Sequence, residues 1–517
     1  MTASSHPPHH RPAAAGSIPA LPYEIWLAIL RYFELRPLEF GRTRPDSGFT
    51  ARRSVLWSLC LTSHRLLDIA RPLLYANIVL PLDGSNPGAR RCLRLLRTVS
   101  QNPRLGRLVV SLAVPLQLSF DARWWETSRS ILAVNDVHGD HRQLFEKMHL
   151  LTEDAAVRGH QQAVQQKLVA LLICLLPSLQ RLLVHVPFTV DSSSRNLQAA
   201  LRILLPDEDN NLIDSLNTLS ITQRPPPTQT DAANEGGSTS HGKFEPLQRL
   251  DVLQLQQGPS LDGPVLLPED SGDGNGLEGI LPILKLRAGK LKRLDLSDHC
   301  LQDVNTNDTA TSVIAQITEL NLVHLDHPGE ATLLLRSARK LETLSLNLTR
   351  HAVPPSPSTS AGTNDDYNMA ILERRDTLRS LSFTAADFDP VELGYLLGPL
   401  GRLTCLSQLS HLRFLRVEPH LLIDWLEVNT WPKFLDNLPK SLLKLAFRFQ
   451  PRHEELCHIW ARSGIGAALA SGERWRRKLP QLEAICLEPL PYIPRVAEEL
   501  AESLKMDGIT LTWMHEI

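Results

Sequence analysis

The sequence contains one pattern that could bind a catalytic metal. Residues 131–141 read ILAVNDVHGDH, an apolar run that ends in Asp136 and His138. Chemistry with two metal ions needs several more aspartate, asparagine or histidine ligands on later loops. The only later Gly-Asp pair, at residues 272–273, lies in a low-complexity stretch. We therefore interpret 131–141 as a loop between two helices.

The same run resembles the first metal motif of calcineurin-like phosphoesterases, a likeness that would make Asp136 and His138 metal ligands. The next motifs of that family, GDxxDRG and GNHE, are absent, as are phosphate-binding glycine loops and the G-x-S-x-G motif. Cys457 and His458 are adjacent, so their side chains diverge and do not form a nucleophile–base pair. We predict no enzyme, and no catalytic residue, metal or cofactor.

Composition indicates a leucine-built repeat. Of 517 residues, 95 are leucine, whereas only 5% are aromatic. This excess favours a coiled coil, a membrane protein or a leucine repeat, and it argues against a protein that stacks on nucleic acid. The longest apolar run, Leu168 to Leu176, is too short to span a bilayer. Because 37 prolines and 27 glycines are scattered along the chain, a long heptad helix is excluded.

Charge and cysteine usage add to this interpretation. Residues 1–110 contain 15 arginines and 6 acidic residues, whereas the remainder contains 39 basic and 50 acidic residues. We interpret the basic start as a solvated face that could meet an acidic protein, not nucleic acid. The seven cysteines are far apart, which predicts reduced core residues. We expect a soluble protein of the cytoplasm and/or nucleus, with no membrane contact.

A repeated motif, apolar-x-x-apolar-x-apolar, dominates the chain after residue 80. The last two residues of each triple are two apart, so they point to one face of a short strand, and stacked copies can share one core. Intervals between copies range from 24 to 74 residues. The eleven triples begin at Leu105, Leu179, Leu216, Leu247, Leu291, Ile317, Leu341, Leu378, Leu412, Leu442 and Leu482.

The irregular spacing is explained by insertions. Residues 224–242, 258–276 and 353–364 are rich in proline, glycine and polar residues, which predicts disordered surface segments. Helices are predicted at 330–338 and 369–375. The predicted fold class is α/β: an irregular, leucine-rich-repeat-like horseshoe over residues 81–517, with its strands on the concave side.

Before the repeats lies a compact unit that follows a tail, residues 1–17, expected to be disordered. LPYEIWLAILRYF begins at Leu21 and places apolar residues on one helix face. Residues 36–54 are polar and are predicted to form a loop. The next block, VLWSLCLTSHRLLDIARPLLYANIVL, predicts two short helices and a strand at 78–80. Three short helices cannot bury a large core alone, so this unit needs a partner or a docked neighbour.

Residues 18–80 resemble the F-box, the short three-helix module of ubiquitin-ligase adaptors. The Leu-Pro-x-Glu-Ile opening is present from Leu21 to Ile25, and the later V-C/S-[RK]-x-[WF] block corresponds to residues 61–66. Leu66 stands where an aromatic residue is common, and the 36–54 loop is longer than usual. LTSHR and RPLLY are similar to fungal members that carry downstream leucine-rich repeats.

The resemblance implies a function. Such a protein is the substrate-recognition adaptor of an SCF-type (Skp1–cullin–F-box) ubiquitin ligase, in which the F-box binds a Skp1-like linker and, through it, a cullin. Apolar residues on an amphipathic helix pair also suit a helix-in-groove contact. The expected Skp1-binding residues are Leu21, Pro22, Glu24, Ile25, Ile29, Leu30, Phe33, Leu56, Leu59 and Leu61.

The repeats are then expected to bind the target protein through strand positions that alternate with the core. These candidate substrate-binding residues are Arg293, Asp295, Glu319, Asn321, Phe414, Arg416, Lys444 and Arg448. The sequence leaves three alternatives open: helices that only cap the repeat array, a scaffold without ligase function, and a divergent metallophosphoesterase. The identity of the target is not encoded in any pattern we find.

Overall fold

A computed structural model provides the structure of the chain. It describes the following residues: 21–42, 44–80, 86–115, 161–186, 247, 249–257, 290–297, 312–323, 328–348, 367–385, 402–418, 421–422, 435–448, 472–488, 502, 504–505 and 508–513.

The chain begins with three helices, α1 (Tyr23–Arg31), α2 (Phe49–Thr62) and α3 (His64–Ala76). Helices α1 and α2 both pack against α3. We call residues 21–76 the helical unit. Its small core consists of Leu30, Leu35, Phe49, Leu56, Ile69, Ala70 and Leu74.

Local interactions fix the ends of these helices. Ser63 begins α3 by accepting a hydrogen bond from the Leu66 amide (3.2 Å). Asp46, which precedes α2, accepts a hydrogen bond at 2.7 Å from Arg52 in the first turn of the helix. Burial alone would raise the pKa of Asp46, but the hydrogen bond and charge of Arg52 lower it. Helix α2 begins at Phe49, so the predicted loop at 36–54 is wrong for its last six residues, because Phe49 enters the core.

The rest of the described chain is mixed α/β, built around a sheet of twelve strands. All neighbouring strands are parallel and follow chain order, and the sheet is open at β1 and β12. The strands are β1 (Asn77–Val79), β2 (Ser111–Pro115), β3 (Arg181–Val186), β4 (Val252–Gln257), β5 (Arg293–Ser297), β6 (Glu319–Val323), β7 (Thr343–Asn347), β8 (Ser380–Thr384), β9 (Phe414–Val417), β10 (Lys444–Arg448), β11 (Ala484–Glu488) and β12 (Thr510–Trp513).

Helices and short 3-10 turns lie between the strands. They are α4 (Asn86–Gln101), α5 (Pro103–Gly106), α6 (Gln161–Cys174), α7 (Pro328–Ser337), α8 (Tyr367–Leu372) and α9 (Gly472–Lys478), with 3-10 turns at Leu406–Gln408 and Leu435–Asn437. The helices predicted at 330–338 and 369–375 correspond to α7 and α8, and the predicted strand at 78–80 overlaps β1.

The register aligns the apolar residues of all strands into rows. Leu294, Leu320 and Leu344 are Cα partners across β5–β7, and the same row continues to Leu511 on β12. These residues and the helices share one continuous core. Tyr367 on α8 meets Phe383 on β8 edge to face, with ring centroids 6.0 Å apart.

A backbone ladder at the strand starts sets this register. The carbonyl of Asp251 accepts from the amides of Lys292 (2.9 Å) and Arg293 (3.0 Å), and Thr318 does the same for residues 342 and 343. The carbonyl before one strand is therefore hydrogen-bonded by the two amides at the start of the next strand. This keeps the starts of successive strands aligned, although the sequences between them differ in length.

Eight of the eleven predicted triples match the strands as proposed. The Leu105 triple is wrong, because Leu105 lies in α5 and the core residues of β2 are Leu112 and Val114. The Leu247 triple is shifted by three residues, because Leu253 and Leu255 are the buried pair on β4. The Leu216 triple lies outside the described residues, and β12 was not predicted.

Close packing at α5 requires a glycine. A Cβ at Gly106 would lie 2.7 Å from the Leu175 carbonyl oxygen and 2.9 Å from Val99 Cγ1. Nearby, Cys92 and Cys174 are buried thiols, and burial raises the pKa of each to about 12. All five described cysteines are free thiols.

Several predictions fall outside the described residues. They are the tail at 1–17, the insertions at 224–242, 258–276 and 353–364, and the Asp136–His138 motif. Within the described ranges, no helix combines the length and apolar character needed to cross a membrane.

Candidate interaction surfaces

Helix α1 presents a stripe of apolar side chains to solvent. Ile25 and Ile29 lie one turn apart on one side of the helix, Leu21 lies just before its start and Tyr32 caps its end, and all four side chains are exposed. The opposite side carries Leu30 into the helical unit's core. The helix is therefore amphipathic in its packing, yet much of its apolar surface faces outward.

Helix α2 repeats this arrangement. Trp57 is 55% exposed and Leu61 is 71% exposed, and their four-residue spacing places them on one face. Leu56 on the other face is completely buried. We call the exposed apolar side chains of α1, of α2 and of the residues flanking α1 the apolar face; its members are Leu21, Tyr23, Ile25, Ile29, Tyr32, Val55, Trp57 and Leu61.

This exposure is concentrated in the helical unit. Among the described residues, ten large apolar side chains are exposed, and eight of them belong to the apolar face. The other two are Leu333 on α7 and Met369 on α8. Scattered exposed leucines are ordinary on protein surfaces, but a concentration in one short segment is typical of a binding surface.

The structure places the ten predicted Skp1-binding residues in three environments. Leu30 and Leu56 are buried in the core of the helical unit, so their prediction as contact residues is corrected: they hold α1 and α2 onto α3. Phe33 and Leu59 are half-buried against the same core. The remaining six are exposed: Leu21, Pro22, Glu24, Ile25, Ile29 and Leu61.

Four residues of the apolar face were not among the predicted Skp1-binding residues: Tyr23, Tyr32, Val55 and Trp57. Trp57 could have been found, because it precedes Leu61 by one helical turn. The predicted loop extended to residue 54, so α2 was predicted to begin six residues too late.

The second surface is the polar face of the sheet, formed by the strand residues that alternate with the leucines. In register across β5–β8, one row of this face reads Asp295, Asn321, Ser345 and Ser382. The same row continues to Arg416 on β9 and Ala446 on β10. The two ends of this polar face differ in what covers them.

Residues 34–42, which we call the strap, connect α1 to the following turn and lie on the polar face near β1–β4. Leu38 is buried against Ala113 and Leu183. The Gly41 amide donates to Gln256 Oε1 at 3.1 Å, and Arg181 Nη2 donates to the Leu38 carbonyl at 3.1 Å. The strap therefore ties the helical unit to the sheet.

A hydrogen-bonded chain of polar side chains begins at Arg181, which contacts the strap. Arg181 Nε donates to Gln254 Oε1 (2.9 Å), Gln254 Nε2 donates to Asp295, and Arg293 Nε donates to Asp295 Oδ1 (2.9 Å). Burial lowers the pKa of Arg181. For Arg293, burial opposes the shift, but the bond to Asp295 and the charges of Asp295 and Glu319 raise its pKa.

Asp295 was predicted to bind substrate, and this prediction is corrected. Its side chain is fully buried, and both of its oxygens are occupied by Gln254 and Arg293. Arg293 remains 40% exposed, with Glu319 at 3.8 Å. These residues organise the strap-covered end and do not offer a free carboxylate.

The other predicted substrate residues lie on the part of the polar face beyond β5, which we call the open face. Glu319, Asn321, Phe414, Arg416 and Arg448 are half-buried, and Lys444 is exposed. The structure brings Phe414, Arg416, Lys444 and Arg448 together on β9 and β10 through the β9–β10 register.

Two features of the described residues concern metal and thiol chemistry. They contain no group of three or more His, Cys, Asp or Glu that could hold a metal ion. The raised pKa values of Cys92 and Cys174 oppose thiolate formation.

Comparison with protein-family models and with curated proteins found no match to this chain.

Proposed function

We propose that this chain is the substrate-recognition adaptor of an SCF-type ubiquitin ligase. In this proposal the helical unit is an F-box that binds a Skp1-like linker, and through it a cullin, while the leucine-rich sheet domain binds a target protein. The adaptor forms and breaks no bonds. It contributes by holding the target near the transfer machinery, which replaces a bimolecular encounter with a fixed geometry.

The observation that carries this proposal is the concentration of exposed apolar side chains on α1 and α2. Eight of the ten in the described residues lie within positions 21–61, the segment whose sequence resembles the F-box. Trp57, Tyr32 and Ile25 belong to neither hydrophobic core of the described residues. Aromatic side chains such as Trp57 and Tyr32 often dominate protein–protein binding energies.

The strap supports the two-surface arrangement. A ligase adaptor must hold its target in a defined orientation relative to its linker protein. Leu38, Gly41 and Arg181 join the helical unit to the sheet through one buried side chain and two hydrogen bonds. A rigid connection of this kind transmits orientation, whereas a flexible linker would not.

The test is co-purification of the full chain with a recombinant fungal Skp1. Two double variants remove one helix face each: Leu21→Asp with Ile25→Asp, and Trp57→Asp with Leu61→Asp. All four side chains are exposed, so the fold should survive. The matched control is Leu333→Asp with Met369→Asp, which places the same charges on exposed apolar residues of α7 and α8.

We expect wild type and control to retain Skp1 and both test variants to lose it by at least about thirtyfold, because buried anchors contribute roughly 2 kcal/mol or more each. Circular dichroism of every variant should match wild type. No binding by wild type would exclude the adaptor function and leave a scaffold without ligase activity. Equal binding by the test variants would show that the apolar face is not the docking surface.

A further inference from the structure

The open face offers a row of polar groups that make no side-chain hydrogen bonds. Asn321, Ser345 and Ser382 are aligned in register on β6, β7 and β8, and each is half-exposed. The neighbouring members of the same row, Gln254 and Asp295, are by contrast fully bonded beneath the strap. The donors and acceptors of this open row are therefore available to a ligand.

Positive charge collects where this row ends. On β10, Lys444 and Arg448 lie two positions either side of Ala446, which is in register with Arg416 on β9. Arg416 pairs with Glu488, but Lys444 and Arg448 have no ion-pair partner in the described part of the chain. Glu418, which directly follows β9, and Glu488 are both buried at this end, so three cations and two carboxylates leave a formal charge of +1 around the small side chain of Ala446.

Glu488 is the buried carboxylate that pairs with Arg416 at this end of the face. Its Oε2 accepts from Arg416 Nε at 2.7 Å, whereas its Oε1 is buried and has no hydrogen-bond donor. A buried carboxylate oxygen without a donor costs free energy, and the negative charge that it keeps is held next to Arg416.

The dimensions of this surface fit an extended peptide. From β6 to β10 there are four strand spacings of about 4.8 Å, or about 19 Å in all. An extended chain rises about 3.3 Å per residue, so about six residues span the distance. The hydroxyl and amide row suits a polar segment, and the Lys444–Arg448 end suits carboxylates.

We propose that the open face binds an extended segment of a protein, about six residues long, with aspartate or glutamate side chains at the end that lies over β10. That this protein is a ligase target rests on the proposed function; the binding chemistry does not. A single-stranded nucleic acid fits less well, because Phe414 is the only aromatic residue that the described strands place on the open face.

The experiment uses the full chain and a phage-displayed library of random dodecapeptides at low ionic strength. Wild type is compared with Lys444→Glu/Arg448→Glu and with a charge-matched control, Arg104→Glu/Arg107→Glu. The two control arginines are exposed and lie at α5, away from the open face. The peptide recovered most often is then labelled with fluorescein, and its affinity for each protein is measured by anisotropy.

We expect aspartate and glutamate to be enriched in peptides selected by wild type and by the control. The charge-reversed variant should lose this enrichment and bind the labelled peptide about tenfold or more weakly, because two attractive rim charges become repulsive. Peptides without acidic bias, or equal affinity for the reversed variant, would overturn the proposal. So would a labelled single-stranded oligonucleotide that competes for the same residues, since it would assign the surface to nucleic acid.

Skp1 capture is measured on the same three proteins. Capture of Skp1 without acidic selection would overturn this inference and leave the adaptor function standing. Acidic selection without capture would do the reverse. The two proposals therefore fail separately.

Discussion

The helical unit and the sheet bury their leucines in different ways. In the sheet, Leu294, Leu320 and Leu344 are sealed by neighbouring copies and by helices, so that the core is continuous over β2–β12. In the helical unit, Leu30 and Leu56 are buried, but Ile25 and Trp57 on the same helices face solvent. A repeat completes its own core by adding copies, whereas three short helices cannot.

An exposed or buried position therefore gives an apolar residue one of two roles. In the sheet, a leucine stabilises the fold and is unavailable to partners. On the apolar face, a leucine contributes little to the fold and remains available for binding. The four predictions below test that separation, beginning with the largest expected effect.

The most direct test is the same substitution in both regions. Leu346→Ala on β7 should lower the free energy of unfolding by about 2–5 kcal/mol, because a fully buried leucine leaves a cavity. Leu61→Ala should change it by less than about 0.5 kcal/mol, because this side chain is 71% exposed. Chemical denaturation followed by circular dichroism measures both.

Equal losses in the two variants would remove the distinction between a core leucine and a surface leucine. A large loss for Leu61→Ala alone would show that the apolar face is covered within the chain itself. Either outcome would also weaken the proposed docking role of α2.

The second prediction concerns the strap-covered end of the polar face, which should behave as interior. Burial lowers the pKa of His185 on β3 to about 4, and its register neighbours, Pro115 and Gln256, carry no charge. The unfolded chain, with a histidine pKa of about 6.5, binds the proton more tightly. The stability that neutral His185 preserves is therefore complete above about pH 6.5 and is lost as the pH falls from there toward 4.

Over this interval the free energy of unfolding should fall by about 3 kcal/mol. Carboxylates also titrate in part of this range, so the measured quantity is the difference between wild type and His185→Gln in unfolding experiments from pH 7 to pH 4. The variant should show the shallower dependence. Parallel curves would mean that His185 is hydrated and that the strap-covered end is not dry.

Much of the sheet could be predicted from the sequence, because a strand that packs on one face must repeat its apolar residues at fixed spacing. Ambiguity arose where leucines occur three apart in succession. Leu247, Leu250 and Leu253 satisfy the motif in two registers, and only pairing with β3 selects the second. Before β2, Leu105 and Leu108 fit the spacing of the motif, but Leu105 lies in α5 and Leu108 lies in the turn that follows it.

The polar face was harder to predict. Alternation correctly placed Arg416, Lys444 and Arg448 on it, because strand side chains alternate. Alternation could not reveal that the strap packs on its other end, or that Asp295 there is buried and bonded to Gln254 and Arg293. The strap lies in a proline- and arginine-rich stretch that looks like an ordinary loop, and its contact with Gln256 spans 215 positions of sequence.

The third prediction concerns a buried polar side chain on α6 that has no hydrogen-bond partner. Gln166 on α6 is completely buried, and neither its Oε1 nor its Nε2 has a hydrogen-bond partner. Gln166→Met keeps a similar volume and removes the two unsatisfied groups, so unfolding should become less favourable by about 1–3 kcal/mol. Gln101→Met on the exposed surface of α4 is the control and should change stability by less than about 0.5 kcal/mol. Destabilisation by Gln166→Met would mean that the glutamine is bonded in solution.

The smallest effect is expected at the strap, where the two regions meet. Gly41 has φ of +87°, and a Cβ there would meet no atom within 4 Å. Gly41→Ala should therefore cost about 1 kcal/mol through backbone conformation alone, and Gly41→Asn should cost less because asparagine tolerates positive φ. Because the Gly41 amide holds the strap to Gln256, loosening the strap should speed tryptic cleavage after Arg42, an exposed arginine that is not followed by proline.

Cleavage should be fastest in Gly41→Ala, intermediate in Gly41→Asn and slowest in wild type, while the circular dichroism of all three stays the same. Cleavage that rises without unfolding would show that the helical unit and the sheet are held together locally by the strap. Equal cleavage rates would mean that other contacts join the two regions. In that case the orientation of the apolar face relative to the open face would not depend on residues 34–42.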